Sequence, residues 1–223
     1  MSRTIKITKG LDVRLFGEAK PEVVETTVGE YAIKPEDFVA LTPKLLVEEG
    51  DKVKAGTPIF YAKGEERLKF VSPVSGTIAA VIRGEKRVIK SVRIVPDGKD
   101  EYEDFSKESL SAMSAEQVKD KMLASGVWTV LRQRPYSTIP NPDTMPKCIV
   151  ITGFSSAPLA PDYAILLKGE RAAMQVGVDA LRKLTTGTIH LNVHSSISRT
   201  DELLKLENVQ INTFEGKHPC GNV

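Results

Sequence analysis

The sequence predicts a chain of mixed class, in which an all-β domain is followed by a helical linker and then by an α/β domain. From Thr4 to Val95 apolar and polar residues alternate between Gly, Pro and Asp, which is typical of short β-strands. After residue 147 the pattern becomes strand, helix, strand, helix, strand, which is typical of a parallel sheet. We therefore place the β domain at residues 1–100, the linker at 101–146 and the α/β domain at 147–223.

Composition is that of a soluble chain with room for two cores. The 223 residues are 41% hydrophobic, and a net charge of +2 with mixed basic and acidic runs excludes an electrostatic footprint for nucleic acid. The N-terminus lacks the apolar core of a secretory signal, and the longest uncharged stretch, 148–161, is too short and too broken by proline to span a bilayer. Cys148 and Cys220 indicate two reduced thiols in a cytosolic protein.

Two segments of the β domain, 47–60 and 70–93, match each other. In each of them, glycine-containing turns separate short alternating strands at similar offsets. This rhythm resembles the biotinyl and lipoyl carrier modules, which are barrel-sandwich hybrids. The resemblance implies either a cofactor carried on a lysine or a module that only docks other proteins.

Lys63 is the candidate for a cofactor-bearing lysine, because it lies between the two segments where a hairpin would project. Its neighbours read Tyr-Ala-Lys-Gly-Glu, whereas lipoyl modules place an acidic residue beside the lysine and biotinyl modules use Met-Lys-Met. We therefore interpret Lys63 as a solvated hairpin residue without a cofactor.

The linker begins with a helix. Ser114 and Gln117 predict a capping box, an apolar stripe follows to Leu123, and Gly126 predicts the stop. Residues 125–146 contain four prolines, which exclude a long helix and indicate an extended crossing between the domains.

The α/β domain has strands predicted at 148–152, 188–193 and 209–214, with a helix at 170–184. A short helix carrying Leu203, Leu204 and Leu206 lies between the last two strands. Because doubly wound domains usually have more strands, we expect a Rossmann-like domain that is incomplete, in an N-terminal piece of a longer protein.

Gly153 follows the first of these strands, where a dinucleotide fingerprint would lie. It stands alone, since Phe154, Ser155 and Ser156 replace the rest of the pattern, and we favour a packing role over nucleotide binding.

The histidines do not suggest a metal site. His190 and His194 are separated by about 13 Å along a strand, which is too far for a shared zinc ion. His218 beside Pro219 is interpreted as a loop residue.

Aromatic and cationic side chains cluster after the linker helix. Such a segment could hold an aromatic head group, with cations near its carbonyl oxygens. For Trp128 we favour packing at a domain interface over ligand contact. The cluster consists of Trp128, Leu131, Arg132, Arg134, Pro135 and Tyr136.

Several long motifs in order resemble one family over essentially the whole chain, namely the A subunit of the bacterial Na+-translocating NADH:quinone reductase. The motifs are KGLD at 9–12, GDKV at 50–53, FVSPVSGTI at 70–78, RGEKRV at 83–88, SGVWTVLRQRPYSTIP at 125–140, LTTGTIH at 184–190 and FEGKHPCG at 214–221.

The resemblance implies a peripheral protein on the cytoplasmic face of the inner membrane. The complex passes electrons from NADH to ubiquinone and moves Na+ outward, and its other subunits, some of them in the membrane, carry flavins and iron centres. Members of this family are associated with ubiquinone, and the Trp128 to Tyr136 cluster is our candidate contact for it. We expect the isolated chain to be inactive.

A related lineage, which includes the C subunit of the Rnf complex and the flavin subunit of respiratory complex I, has a glycine-rich flavin loop at the position of 125–140. Bulky side chains fill that loop here, so we expect no FMN, and two cysteines cannot hold an iron-sulfur cluster. We therefore expect no redox cofactor on this chain. Two alternatives stay open: a non-catalytic carrier or scaffold module, and a flavin- and NADH-binding dehydrogenase subunit.

Overall fold

The chain folds as two compact units, one formed by residues 25–144 and the other by 1–24 together with 145–223. The computed structural model describes residues 3–13, 15–17, 20, 22–106, 108–198 and 201–221. Each unit has its own hydrophobic core. The predicted mixed class is confirmed.

The unit of residues 25–144 is built on two antiparallel sheets. After β1 (Arg3–Ile7), its strands are β2 (Tyr31–Ile33), β3 (Pro43–Leu45), β4 (Lys52–Val53), β5 (Pro58–Ala62), β6 (Glu65–Val71), β7 (Gly76–Arg83) and β8 (Ile89–Pro96). Their order is β2-β8-β7-β4 in one sheet and β3-β5-β6 in the other. The core contains Phe60 and Phe70, whose rings stack 4.8 Å apart.

The two matched segments meet through β4 and β7, because Val53 is paired with Gly76. A Cβ on Gly76 would lie 2.1 Å from the carbonyl oxygen of Val95, so only glycine fits at this start of β7. The internal match in the sequence therefore corresponds to strands that share a sheet.

Not every alternating stretch of this unit is a strand. Residues 38–41 and Val23 fall within the alternating region expected to form short strands, but 38–41 form a turn after the 3-10 helix Pro35–Asp37, and Val23 is not in a strand. Phe38 nevertheless packs on the core, with its ring edge-on to Phe70 at 4.6 Å. Apolar residues here serve packing without joining a sheet ladder.

The predicted linker helix is α1 (Ala115–Ala124), and its capping box between Ser114 and Gln117 is confirmed. The helix stops at Gly126, which has a φ of +75°. A Cβ on Gly126 would lie 2.8 Å from the side chain of Val71, so the segment packs closely on β6. Residues 101–144, most of the helical and extended linker predicted at 101–146, lie in the compact unit of residues 25–144.

The other unit contains a four-stranded parallel sheet in the order β1-β11-β10-β9. Its further strands are β9 (Ile149–Thr152), β10 (Ile189–His194) and β11 (Gln210–Gly216), and its helices are α2 (Tyr163–Leu166), α3 (Arg171–Lys183) and the 3-10 helix Glu202–Lys205. Val178 of α3 packs on Leu191 and Val193 of the sheet. The strands and the long helix predicted for this region are confirmed.

The sequence analysis assigns Ile5 and Ile7 to the β domain, whereas in the structure their strand β1 lies in the parallel sheet. β1 pairs in parallel with β11, where Ile5 lies opposite Phe214. A Cβ on Gly216 would lie 2.1 Å from the carbonyl oxygen of Ile7, so this pairing requires glycine. Period-two alternation predicted the strand correctly, but alternation does not specify which sheet a strand joins.

Within the described residues, no helix combines the length and the apolar character that crossing a bilayer requires.

Candidate functional site

Trp128 is a packing residue of the unit formed by residues 25–144. It lies in the 3-10 helix Val127–Val130, and its side chain is buried, with 5% of the residue exposed. The indole Nε1–H donates a hydrogen bond of 2.9 Å to the carbonyl oxygen of Pro140. This bond closes residues 128–140 into a loop and supports the packing interpretation of Trp128.

Arg132 is held at the base of the same loop. Its Nη1 donates to the carbonyl oxygens of Thr129 at 2.6 Å and Leu131 at 3.0 Å. Its guanidinium also lies 5.6 Å from the centre of the Phe38 ring, within the range of a cation–π contact. The positive charge is therefore fixed in position although the residue is exposed.

The tip of the loop presents Arg134, Pro135 and Tyr136 to solvent, and Tyr136 is 79% exposed. The tip is closed by a backbone hydrogen bond of 2.7 Å from the amide of Gln133 to the carbonyl oxygen of Thr138. Leu131 is half-buried beneath it. A fixed base thus carries an exposed phenol and an exposed guanidinium.

An ion-pair network ties the chain beyond this loop to β6. Arg67 contacts Glu65 at 2.7 Å and Asp143 at 2.8 Å. The guanidinium holds the pKa of both carboxyl groups below their usual range, chiefly through its hydrogen bonds. Both carboxylates therefore stay ionised at neutral pH.

A cleft of about 600 Å³ opens in the α/β unit at the carboxyl ends of β9 and β10, a position where parallel sheets commonly bind ligands. It is lined by Gly153, Phe154, Ser155, Ser156, Ala160, Pro161, Asp162, Tyr163, Ala164, His194, Ser196, Ile197, Ser198, Asp201 and Leu203. The sequence analysis does not predict this cleft. Its sequence signal is a pair of serine-containing segments, each of which directly follows a predicted parallel strand.

Gly153 serves the packing of the sheet. Its amide donates a hydrogen bond of 2.8 Å to the carbonyl oxygen of Asn192, and a Cβ on Gly153 would lie 2.9 Å from the same oxygen. The amide is therefore already used and does not point at a phosphate site. This close contact agrees with a packing role for Gly153.

Ser156 and His218 lie beside the cleft and form a hydrogen-bonded pair, but not a nucleophile and its base. The Ser156 hydroxyl donates to the carbonyl oxygen of Cys220, so His218 Nδ1, 2.9 Å away, must donate to the serine oxygen. Burial raises the pKa of the Cys220 thiol, which keeps it protonated. This cluster holds residues 218–220 in place.

His190 and His194 have separate partners. His190 Nδ1 lies 3.2 Å from Asn212 Nδ2, and His194 Nδ1 lies 2.7 Å from the Ser196 hydroxyl. Among the residues that the structure describes, no three His, Cys, Asp or Glu side chains are placed to share a metal ion. Both cysteines are free thiols.

Lys63 lies where the sequence predicts it, at the turn between β5 and β6, and it is exposed. Its amide donates 2.8 Å to the carbonyl oxygen of Thr42, and Gly64 has a φ of +99°. The hairpin is therefore tight at the lysine.

Comparison with known proteins identifies the family of the chain through two successive domain models. Residues 5–97 match the model of the NqrA N-terminal barrel-sandwich hybrid domain, and residues 113–223 match that of the NqrA second alpha/beta domain. The barrel-sandwich hybrid and the following α/β domain predicted from the sequence are thereby confirmed.

Three relatives are each named as the A subunit of a Na(+)-translocating NADH-quinone reductase. The chain is 36% identical to the protein of Yersinia pseudotuberculosis serotype O:1b over 224 residues, which are 98% of the chain and 49% of that relative. It is 37% identical to the Serratia proteamaculans protein, again over 98% and 49% of the two chains. The protein of Neisseria meningitidis serogroup A is 36% identical over 97% of the chain and 49% of its own length. The chain thus spans about half the length of these relatives.

Proposed function

This chain belongs to the NqrA family in both of its domains, and on that premise we propose that it acts as a subunit of a Na+-translocating NADH:quinone reductase. Two observations support this proposal: the order of the two domains, and the 36% sequence identity to a relative over 98% of the chain. In this role the chain contributes to an oxidoreductase complex and is not an enzyme by itself.

In the proposed complex the chain is peripheral, lies at the cytoplasmic face of the inner membrane and binds other subunits, including membrane subunits. NADH, flavins and iron centres belong to those other subunits, and this chain holds no redox cofactor of its own. Two observations support the proposal that this chain carries no redox cofactor. Lys63 lacks the neighbours of a lipoyl or biotinyl lysine, and the Gly153 amide is engaged within the sheet.

We place the ubiquinone contact on the loop of residues 128–140. Its observed geometry carries this proposal: Trp128 and Arg132 fix the base, while Arg134 and Tyr136 are exposed at the tip. A guanidinium can donate to a quinone carbonyl oxygen, and a phenol ring can pack on the quinone face. Leu131 and Pro135 supply adjoining apolar surface.

Arg134→Ala and Tyr136→Ala, each made in the assembled complex, test this contact. We expect the KM for ubiquinone to rise by about ten-fold in the double variant with little change in kcat, because the loop would contribute binding and not chemistry. Tyr102→Ala is the matched control, since Tyr102 is 71% exposed in the same unit. Steady-state quinone reduction at several ubiquinone concentrations gives both constants.

Unchanged quinone kinetics in a complex of normal composition would contradict the quinone contact. That result would favour the second candidate, a non-catalytic carrier or scaffold module of the lipoyl or biotinyl type. The exposed lysine on a tight hairpin gives this candidate its structural support, since carrier modules use the same kind of turn.

A further inference from the structure

We propose that the cleft at the carboxyl ends of β9 and β10 binds a nucleoside that carries no phosphate. The cleft lies in the α/β unit, and the proposal is independent of the quinone contact assigned to residues 128–140. Its volume of about 600 Å³ is in the range of small-molecule sites.

The ring of Phe154 supplies a fixed apolar wall of the cleft. A Cβ on Gly221 would lie 2.4 Å from this ring, so the ring rests directly on glycine backbone. The rings of His194 and Phe214 lie 5.4 and 6.1 Å from it and limit its movement. A planar base can stack on a ring that is held in this way.

His194 presents a hydrogen-bond donor to the cleft. Its Nδ1 accepts a hydrogen bond of 3.2 Å from the backbone amide of Ser196, so the ring proton resides on Nε2. Among the described residues, the hydrogen bonds of this imidazole all involve Nδ1, and Nε2 has no partner. Ring nitrogens and carbonyl oxygens of a base are suitable acceptors for the Nε2–H.

Two carboxylates supply acceptors for ribose hydroxyls. Asp162 Oδ1 accepts a hydrogen bond from the backbone amide of Ala164, and Asp201 Oδ1 accepts one from the backbone amide of Leu203. Each bond is 2.8 Å long. In each case one oxygen is used by the backbone and Oδ2 has no hydrogen-bond partner among the described residues. Sugar hydroxyls can donate hydrogen bonds to such oxygens.

The same carboxylates argue against two other ligand classes. The carboxylates of Asp162 and Asp201 in the described lining would repel a phosphate. A quinone offers only acceptor oxygens, which would also face the carboxylates unfavourably. A nucleoside has both the ring and the donors that the cleft requires.

Titration of the chain with adenosine, followed by NMR of the histidine imidazoles, tests the proposal. The chain has three histidines, and His194→Gln assigns the relevant signal by removing it. We expect a saturable shift of the His194 signal while the His190 signal stays in place. AMP should bind at least about ten-fold more weakly than adenosine. The comparison with AMP also tests whether Arg199, which lies outside the described residues, attracts a phosphate group.

Asp162→Asn and Asp201→Asn distinguish a ribose contact from nonspecific stacking. An asparagine keeps the Oδ1 acceptor for the backbone amide, so the local fold is retained. The double variant should bind adenosine about ten-fold more weakly and should lose most of its preference over AMP. Asp179→Asn is the matched control, because Asp179 lies on α3 outside the cleft and its substitution should change neither affinity.

Three results would overturn the proposal. The first is the absence of a saturable His194 shift at millimolar adenosine. The second is AMP binding as tight as adenosine binding. The third is a His194 shift with a short-chain benzoquinone and none with adenosine, which would make the cleft a quinone site.

Discussion

Trp128, Arg132 and Ser156 are each held by backbone carbonyl groups. Their polar atoms donate to Pro140, to Thr129 and Leu131, and to Cys220 respectively. The buried Trp128 and half-buried Ser156 need such acceptors, because an unpaired donor away from water destabilises the fold. Residue type placed both Trp128 and Arg132 in the candidate quinone cluster, with packing favoured for Trp128, and their partners indicate that both shape the loop.

Trp128→Ala should lower the free energy of unfolding by about 3–5 kcal/mol, because it removes a large buried side chain. Trp128→Phe should cost less, about 1–3 kcal/mol, since it keeps an aromatic ring at this position and removes the donor to Pro140. Urea unfolding should be followed by far-UV circular dichroism, because Trp128 is the only tryptophan of the chain. An alanine variant as stable as the parent protein would show that the indole does not serve packing.

Two glycines, one in helix α3 and one at the end of strand β9, have opposite effects on the stability of their elements. In α3, a Cβ on Gly177 would meet nothing within 4 Å, so the glycine only adds flexibility to the helix. At the end of β9, a Cβ on Gly153 would meet the backbone of Asn192 at 2.9 Å. The strand end has no space for a side chain, whereas the helix surface does.

Gly177→Ala should therefore raise the free energy of unfolding by about 0.5–1 kcal/mol, because alanine loses less backbone entropy on folding. Gly153→Ala should lower it, because β9 and β10 would have to move apart. Thermal unfolding of the two variants beside the parent protein measures both effects. Equal effects of the two substitutions would contradict the assignment of close packing to Gly153.

At the scale of the whole molecule, the α/β unit is discontinuous in sequence, since it takes its edge strand β1 from the N-terminus. β1 forms a parallel ladder with β11, and β11 is bonded to β10 on its other side. A strand contributed from so far along the chain is ordered only when the rest of the sheet is present. Integrity of this unit should therefore depend on the first residues of the chain.

Deletion of residues 1–7 should speed hydrogen exchange of the β11 amides, because β11 would become an unprotected edge strand. Exchange in β7 and β8, which belong to the other unit, serves as the internal control and should not change. Hydrogen exchange followed by mass spectrometry can compare the peptides that contain these strands. Equal protection of β11 in the deleted and complete chains would show that β1 does not stabilise the sheet.

Most of the secondary structure was predictable because it follows from local signals. The capping box at Ser114, the stop at Gly126 and the apolar runs of β9, β10 and β11 lie within short stretches of chain. The turn at residues 38–41 was not predictable, because Phe38 packs on Phe70, a residue distant in the sequence. The cleft was missed for a related reason: Ser156, His194 and Asp201 are close only after the strands have paired.

The sequence by itself determined the order of the two domains, the class of each, the family to which the chain belongs and the hairpin position of Lys63. These properties rest on periodicity, turn residues and long motifs, all of which are local or linear in the chain. Only the tertiary structure decided that β1 joins the α/β sheet, that Trp128 is buried, that the Gly153 amide is already bonded and that a cleft lies beside His194. Each of these depends on contacts between distant residues, and alternation of apolar and polar side chains does not specify the partner in such a contact.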